Sequence, residues 1–255
     1  MYHNIFDSHA HYDDEQFDTD RNELLVSFRE KGVSGVICCG TNIKTSEFAV
    51  ELSHKYDFVY SAVGFHPLDN DEYKDGDLER IKELAKDEKC VAIGEIGLDY
   101  HYEKESRENQ LILLERQIEL ANELDLPIIF HDRESHEDTL NILKKYKPKG
   151  VLHCFSGSVE MAKEIIKLGF YIGLGGAVTF KNAVKPCEVA KYVPSDKLLI
   201  ETDAPYMTPV PFRGKRCDSL HIPYTAEKIA ELREVPAQEI LDLTDKNARK
   251  LFNIR

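Results

Sequence analysis

His9 and His11, in the run Asp7-Ser8-His9-Ala10-His11, are the first residues of this chain whose types and spacing suit chemistry. They follow the short apolar run Asn4-Ile5-Phe6, which reads as the start of a strand. Side chains two apart on an extended strand share a face, so two imidazoles would be presented to one side. A catalytic Zn²⁺ or similar ion needs at least three protein groups and an open position, so this pair asks for partners elsewhere. Taken alone, the two rings would equally serve as hydrogen-bonded histidines near a strand end.

The partners are His66, Glu95, His131, His153, Glu201 and Asp203, each placed at the end of a strand-like stretch. Each has a plain local use: Glu95 could cap a turn, His131 could be a satisfied core histidine, and Asp203, before Ala204-Pro205, could start a turn. Gathered at one place they need more, because a buried carboxylate or imidazole is costly unless paired or metal-bound. A mixed imidazole and carboxylate set suits Zn²⁺, Mn²⁺, Co²⁺ or Ni²⁺, and Mg²⁺ less well. Six ligands are too many for one ion with an open position, so two divalent cations per chain are expected. His9, His11 and Asp203 would hold the first, His131 and His153 the second, and Glu95 would bridge them. Two ions roughly 3.5–4 Å apart can activate a water and hold the leaving oxygen. Asp203, Glu95 and Glu201 make up the expected catalytic acids, with Asp203 accepting the proton of the water.

Arg213-Gly214-Lys215-Arg216 sets three cations around a glycine after the last strand-like run, in a chain of net charge −13. It reads either as a solvated surface cluster or as a phosphate clamp, since guanidinium forks match phosphate oxygens. His66, before Pro67, would add one more donor to the phosphate. So acidic a chain has no general attraction for nucleic acid, which excludes non-specific DNA coating and leaves recruitment to bound cations and local basic groups. Phe65, Tyr100, Phe180, Tyr206 and Phe212 are placed either to stack unpaired bases or to close the core.

The elements that must position these groups alternate between period 2 and period 3.6. Strands are expected at Asn4–Ser8, Gly35–Cys39, Phe58–Val63, Cys90–Gly94, Pro127–Phe130, Gly150–His153, Phe170–Leu174 and Lys197–Glu201. Helices are expected near Thr19–Lys31, Asn42–Lys55, Gly76–Asp87, Ser106–Leu124, Ser135–Tyr146, Val159–Leu168, Val184–Val193, Pro223–Arg233 and Ala237–Leu251. Short Val- and Ile-rich runs without polar alternation suit strands buried on both faces. Eight β/α units therefore read as an α/β protein, a single (β/α)8 TIM-type barrel, with a doubly wound open sheet as the alternative. No G-x-G-x-x-G or Walker-type loop is present to favour the open sheet. Barrel active sites lie at the carboxyl ends of the strands, where the acids and imidazoles fall.

The 255 residues, 42% apolar and 31% charged, suffice for a full core and fit one domain spanning 1–255. Six cysteines without C-x-x-C spacing are expected as reduced, mostly buried thiols. No signal-like segment opens the chain and no apolar run reaches the roughly 20 residues needed to cross a bilayer, so a cytoplasmic protein without a membrane or obligate protein partner is expected.

The motifs together resemble those of the TatD-type metal-dependent deoxyribonucleases among the amidohydrolase-like barrels. The matching pieces are Asp7-Ser-His-Ala-His11, Gly64-Phe-His-Pro67, Gly94-Glu-Ile-Gly-Leu-Asp99, His131-Asp-Arg133, His153-Cys-Phe-Ser-Gly157, Glu201-Thr-Asp-Ala-Pro-Tyr206 and Arg213-Gly-Lys-Arg216. The resemblance covers essentially the whole chain. It implies a dinuclear hydrolase of DNA phosphodiesters with His9, His11, Glu95, His131, His153 and Asp203 as metal ligands. The chain departs from the family pattern at Cys217-Asp218-Ser219 and at His101, positions that bear on substrate contacts and spare every expected ligand. A barrel-mouth pit admits DNA ends or single strands more readily than a duplex. The alternative substrate is a carboxylic ester or amide, as in removal of an aminoacyl group from tRNA, attacked by the same activated water.

Overall fold

The structure is a computed structural model, described here for residues 1–102 and 106–255. Its strands are β1 Ile5–Ala10, β2 Val33–Cys39, β3 Val59–Val63, β4 Cys90–Asp99, β5 Ile128–Arg133, β6 Gly150–Leu152, β7 Tyr171–Leu174 and β8 Leu198–Ile200. The helices are α1 Arg21–Glu30, α2 Ile43–Lys55, α3 Asp77–Leu84, α4 Arg107–Leu124, α5 His136–Tyr146, α6 Val159–Lys167, α7 Val184–Tyr192, α8 Ile222–Arg233 and α9 Ala237–Leu251. Side-chain caps define several starts: Asn42 forms a capping box with Thr45, while Ser106 and Ser158 each accept a backbone N–H from the first turn of α4 and α6. Asp125, Lys147 and Glu234 end α4, α5 and α8 in the left-handed conformation that returns the chain to the next element.

All eight strands run parallel in one sheet in chain order. The sheet closes where the segment after β8 meets the first strand: Ala10 bridges Ala204, His11 N–H donates to Ala204 O at 2.7 Å, and Asp203 N–H donates to His9 O at 3.0 Å. Closure decides for the barrel against the open sheet. Inside, Phe6, Ile37, Ile129, Val151 and Leu199 pack with Phe252 and Ile254 from the end of the chain. Their strand neighbours Ile5, Val36, Ile128, Leu152 and Ile200 face the helices in the larger core.

That alternation aims His131, two beyond Ile129, and His153, two beyond Val151, toward the mouth. In β1 it slips once. Phe6 packs inside and His9 also turns inward, three positions on, and the second of two β1–β2 register shifts lies between Asp7 and Ala10. β4 and β5 extend beyond the expected Gly94 and Phe130 because their outer halves carry Glu95, Asp99, His131, Asp132 and Arg133, polar residues that an apolar-run criterion cuts off.

Candidate metal centre and its pit

Glu95 lies at the middle of the mouth, almost wholly buried, with its two oxygens facing different histidines. Oε1 is 2.7 Å from His153 Nε2 and 2.9 Å from His131 Nδ1. Oε2 is 3.3 Å from both His9 Nε2 and His11 Nε2. Asp203 Oδ1 completes the second group at 3.6 Å from His9 and 3.7 Å from His11. All six residues expected as ligands therefore meet. Three trios, His9-Glu95-His153, His9-His11-Asp203 and His66-Glu95-His131, each hold ligand atoms within 4.8 Å of one another.

This donor set fits divalent cations. His9 Nε2 and His11 Nε2 point at each other at 3.0 Å, and two imidazole nitrogens tolerate that approach only with a proton or a cation between them. Without metal, protons take that place. Burial alone would push His11 down, but Glu95 and Asp203 raise it to about 9. Burial likewise opposes His153 and His131, yet Glu95 with Glu201 lifts the first and Asp99 with Glu95 lifts the second. Burial works against ionisation of Glu95, while His153 and His9 hold its carboxyl well below the usual range. Burial and then His153 lower His9 instead, so the positive charge falls on His11, His131 and His153.

Two of the rings are hydrogen-bonded on the far side, and His153 Nδ1 has a carboxylate near it without a hydrogen bond. His11 Nδ1 lies 3.0 Å from Cys39 O, and His131 Nε2 lies 3.1 Å from Asp99 Oδ2. His153 Nδ1 stands 3.5 Å from Glu201 Oε1, which accepts the Cys154 N–H. Gly173 makes room for this pair, since a Cβ there would meet Glu201 Oε2 at 2.6 Å. Asp203 takes φ +59, a left-handed conformation that Asp adopts more readily than most residues, immediately beside the barrel seam. Asp7 braces that seam from behind, accepting from Thr202 Oγ1 at 2.6 Å and Ser219 Oγ at 2.7 Å. Ser219, one of the departures from the family pattern, thus faces the barrel wall.

The cluster floors a pit of about 650 Å³ lined by His66, Arg133, Cys154, Asp203, Tyr206 and the acids Asp13, Asp14 and Asp69, among others. His66 Nδ1 accepts the Leu68 N–H at 3.1 Å, which leaves Nε2 as the protonated nitrogen, 3.6 Å from Glu95 Oε1. Burial drives its pKa down to about 3, so the ring is a neutral donor.

Arg213, Lys215 and Arg216 are not among the residues lining the pit. Arg216 forks onto both oxygens of Asp20 at 2.7 Å and lies over Phe17, and Arg213 donates to Thr208 O with its guanidinium 3.9 Å from the Phe180 ring centre. Among the described residues, the arginine or lysine that lines the pit is Arg133, to which the spacing argument gave no role. Its signal was available: it stands two residues beyond His131, as His11 stands two beyond His9. Of the aromatics considered for stacking, Tyr206 lines the pit, with its hydroxyl on Asp14, and Phe65 is buried core.

Fold and site together define a metal-dependent hydrolase of the (β/α)8-barrel class. Residues 6–253 match the family model of TatD related DNase. The chain is 47% identical to an uncharacterized metal-dependent hydrolase, YabD, of Bacillus subtilis, across 98% of this chain and 99% of that one. It is 34% identical to the 3'-5' ssDNA/RNA exonuclease TatD of Salmonella typhimurium, across 98% and 99%. The crystal structure of YJJV, a TatD homolog from Escherichia coli K12, superposes with a TM-score of 0.94 at 33% identity, covering all of both chains. The chain belongs to the TatD related DNase family. No helix among the described residues is long and apolar enough to cross a membrane.

Proposed function

We propose that this hydrolase cleaves phosphodiester bonds of single-stranded or frayed nucleic-acid ends, with two divalent cations per chain. The observation that carries the reading is the division of Glu95, one oxygen toward His131 and His153 and the other toward His9 and His11. Cations held there supply Lewis acidity and make water a nucleophile near neutral pH.

The chain's own groups do the rest. Asp203, 20% exposed at its side chain and facing the pit, accepts the proton of the attacking water on its carboxylate. His66 donates Nε2–H toward a phosphate oxygen. Glu201 holds His153 in orientation from the far side, and Asp99 does the same for His131. The pit is open at the mouth and too small for a duplex to enter, so an unpaired end is the form of substrate it admits. Arg213 and Lys215, exposed on the loop beyond β8, are left to meet strand outside the pit.

A second reading, hydrolysis of a carboxylic ester such as an aminoacyl-tRNA, is favoured by one observation. Asp13, Asp14 and Asp69 line the pit, and Asp13 Oδ1 has no hydrogen-bond partner among the described residues, an environment that suits a substrate amine. End-labelled single-stranded, frayed and blunt oligonucleotides, incubated with the protein and Mn²⁺, Co²⁺, Zn²⁺ or Mg²⁺, separate the two. Shortening of the unpaired ends is expected; intact DNA alongside deacylated aminoacyl-tRNA would transfer the assignment to the ester.

A further inference from the structure

We propose that Arg133 binds the phosphate next to the scissile one, so that the pit reads two successive phosphates of a strand; this rests on the nuclease reading above. Arg133 follows His131 by two positions on β5 and shares its face, which places it about 6.6 Å farther toward the mouth at ~3.3 Å per residue. Among the described residues that line the pit it is the one arginine or lysine.

The carboxylates beside it in the chain and across the ladder are all engaged elsewhere. Asp132 accepts from Ser135 Oγ at 2.6 Å and Thr139 Oγ1 at 3.1 Å and pairs with His136 Nδ1 at 2.7 Å. Glu134 pairs with His101 at 2.7 Å, and Asp99, directly across the ladder from Arg133, holds His131 at 3.1 Å. Arg133 itself forms no ion pair with any described carboxylate. Its guanidinium lies 4.8 Å from the centre of the Tyr102 ring, a contact that fixes the plane of the fork and consumes none of its five donors. A half-buried cation beside three acids that all turn away from it is arranged for an anion that is not part of the protein. With the cluster below it occupied by the scissile phosphate, the neighbouring phosphate along the strand is the group within its reach, and a guanidinium fork matches two phosphate oxygens.

The test uses the full-length metal-loaded protein, Arg133→Ala and Arg133→Lys. Affinity is read by anisotropy of a fluorescein-labelled phosphorothioate dT8, and turnover on ordinary dT8 and on bis(4-nitrophenyl) phosphate, which has no second phosphate. The alanine variant is expected to raise Kd and KM for the octamer about ten- to a hundredfold, with a much smaller fall in kcat. The slope of log Kd against log salt should shrink by about 0.7, the loss on the one-phosphate diester should be far smaller, and lysine should restore part of the affinity. An unchanged Kd and salt slope overturn the proposal, as does an equal loss of kcat on both substrates, which would assign Arg133 to the scissile group. Wild-type protein that binds the octamer through Arg133 without cleaving it would retain this subsite and remove the nuclease reading. Cleavage with binding indifferent to Arg133 would do the reverse.

Discussion

Asp99 Oδ2 stands 3.1 Å from His131 Nε2, on the side of the ring opposite the 2.9 Å approach of Nδ1 to Glu95. One carboxylate thus fixes the tautomer with which the imidazole meets the other. Asp99 is itself held at both ends of its backbone, since its N–H donates to Gln110 Oε1 and its carbonyl accepts from Gln110 Nε2, each at 2.8 Å. Replacing Asp99 by Asn, which keeps the shape and removes the charge, should weaken metal affinity about 10- to 100-fold. Titration against a competing chelator measures it; unaltered affinity would show that His131 needs no such support.

Glu95→Gln should empty the centre further. The substitution preserves volume but leaves one acceptor where two oxygens served two groups of histidines. Elemental analysis is expected to fall below two ions per chain and hydrolysis to drop by at least about a hundredfold. Two retained ions would exclude Glu95 as the bridge.

Protons and cations compete for the same nitrogens, which gives the site a pH dependence of known sign. In the metal-free protein His11 is raised to about 9, and His131 and His153 are raised as well. The unfolded chain gives up these protons near pH 6.5, so the stability they contribute is complete below about 6.5 and is lost as pH rises through the elevated values. Metal binding must displace them, so affinity should climb with pH over that window. Calorimetric titration of the apoprotein with Zn²⁺ at pH 7.5, in buffers of different ionisation enthalpy, should reveal net proton release. No release, or uptake, contradicts the protonated cluster.

Gly173→Ala probes the wall behind His153. A Cβ there meets Glu201 Oε2 at 2.6 Å and His153 Cα at 3.1 Å, so either the acid or the strand must move. A loss of about 1–3 kcal/mol in denaturant unfolding is expected, together with reduced metal content. Gly175→Ala is the control, because its Cβ comes no closer than 3.5 Å to any atom, an ordinary contact. Its cost should stay within about 0.5 kcal/mol.

The barrel was legible because buried parallel strands announce themselves as Val- and Ile-rich runs, and the six clustered residues were legible because each ends such a run. What escaped had a common cause. Asp99 and Arg133 stood in the matched motifs without a role, because they belong to the polar outer halves of β4 and β5, where hydrophobicity no longer marks the strand. The basic run at 213–216 was conspicuous by charge alone, and composition gives no sign that Arg216 is committed to Asp20 across nearly two hundred residues. Asp7, adjacent to the two histidines, read only as part of a motif; its role at the seam depends on Thr202 and Ser219, which approach it only after closure.

The histidines of β1 and the aspartate just past β8 are joined at the seam that closes the barrel. During synthesis the ribosome must therefore release some two hundred residues before His9 and His11 acquire Asp203 as a companion. A polypeptide that stops short of β8 carries the residues of the His9-Glu95-His153 trio but lacks the third member of the His9-His11-Asp203 trio. The second trio is in that sense a reporter of barrel closure, complete only once the first strand and the segment after the eighth have met.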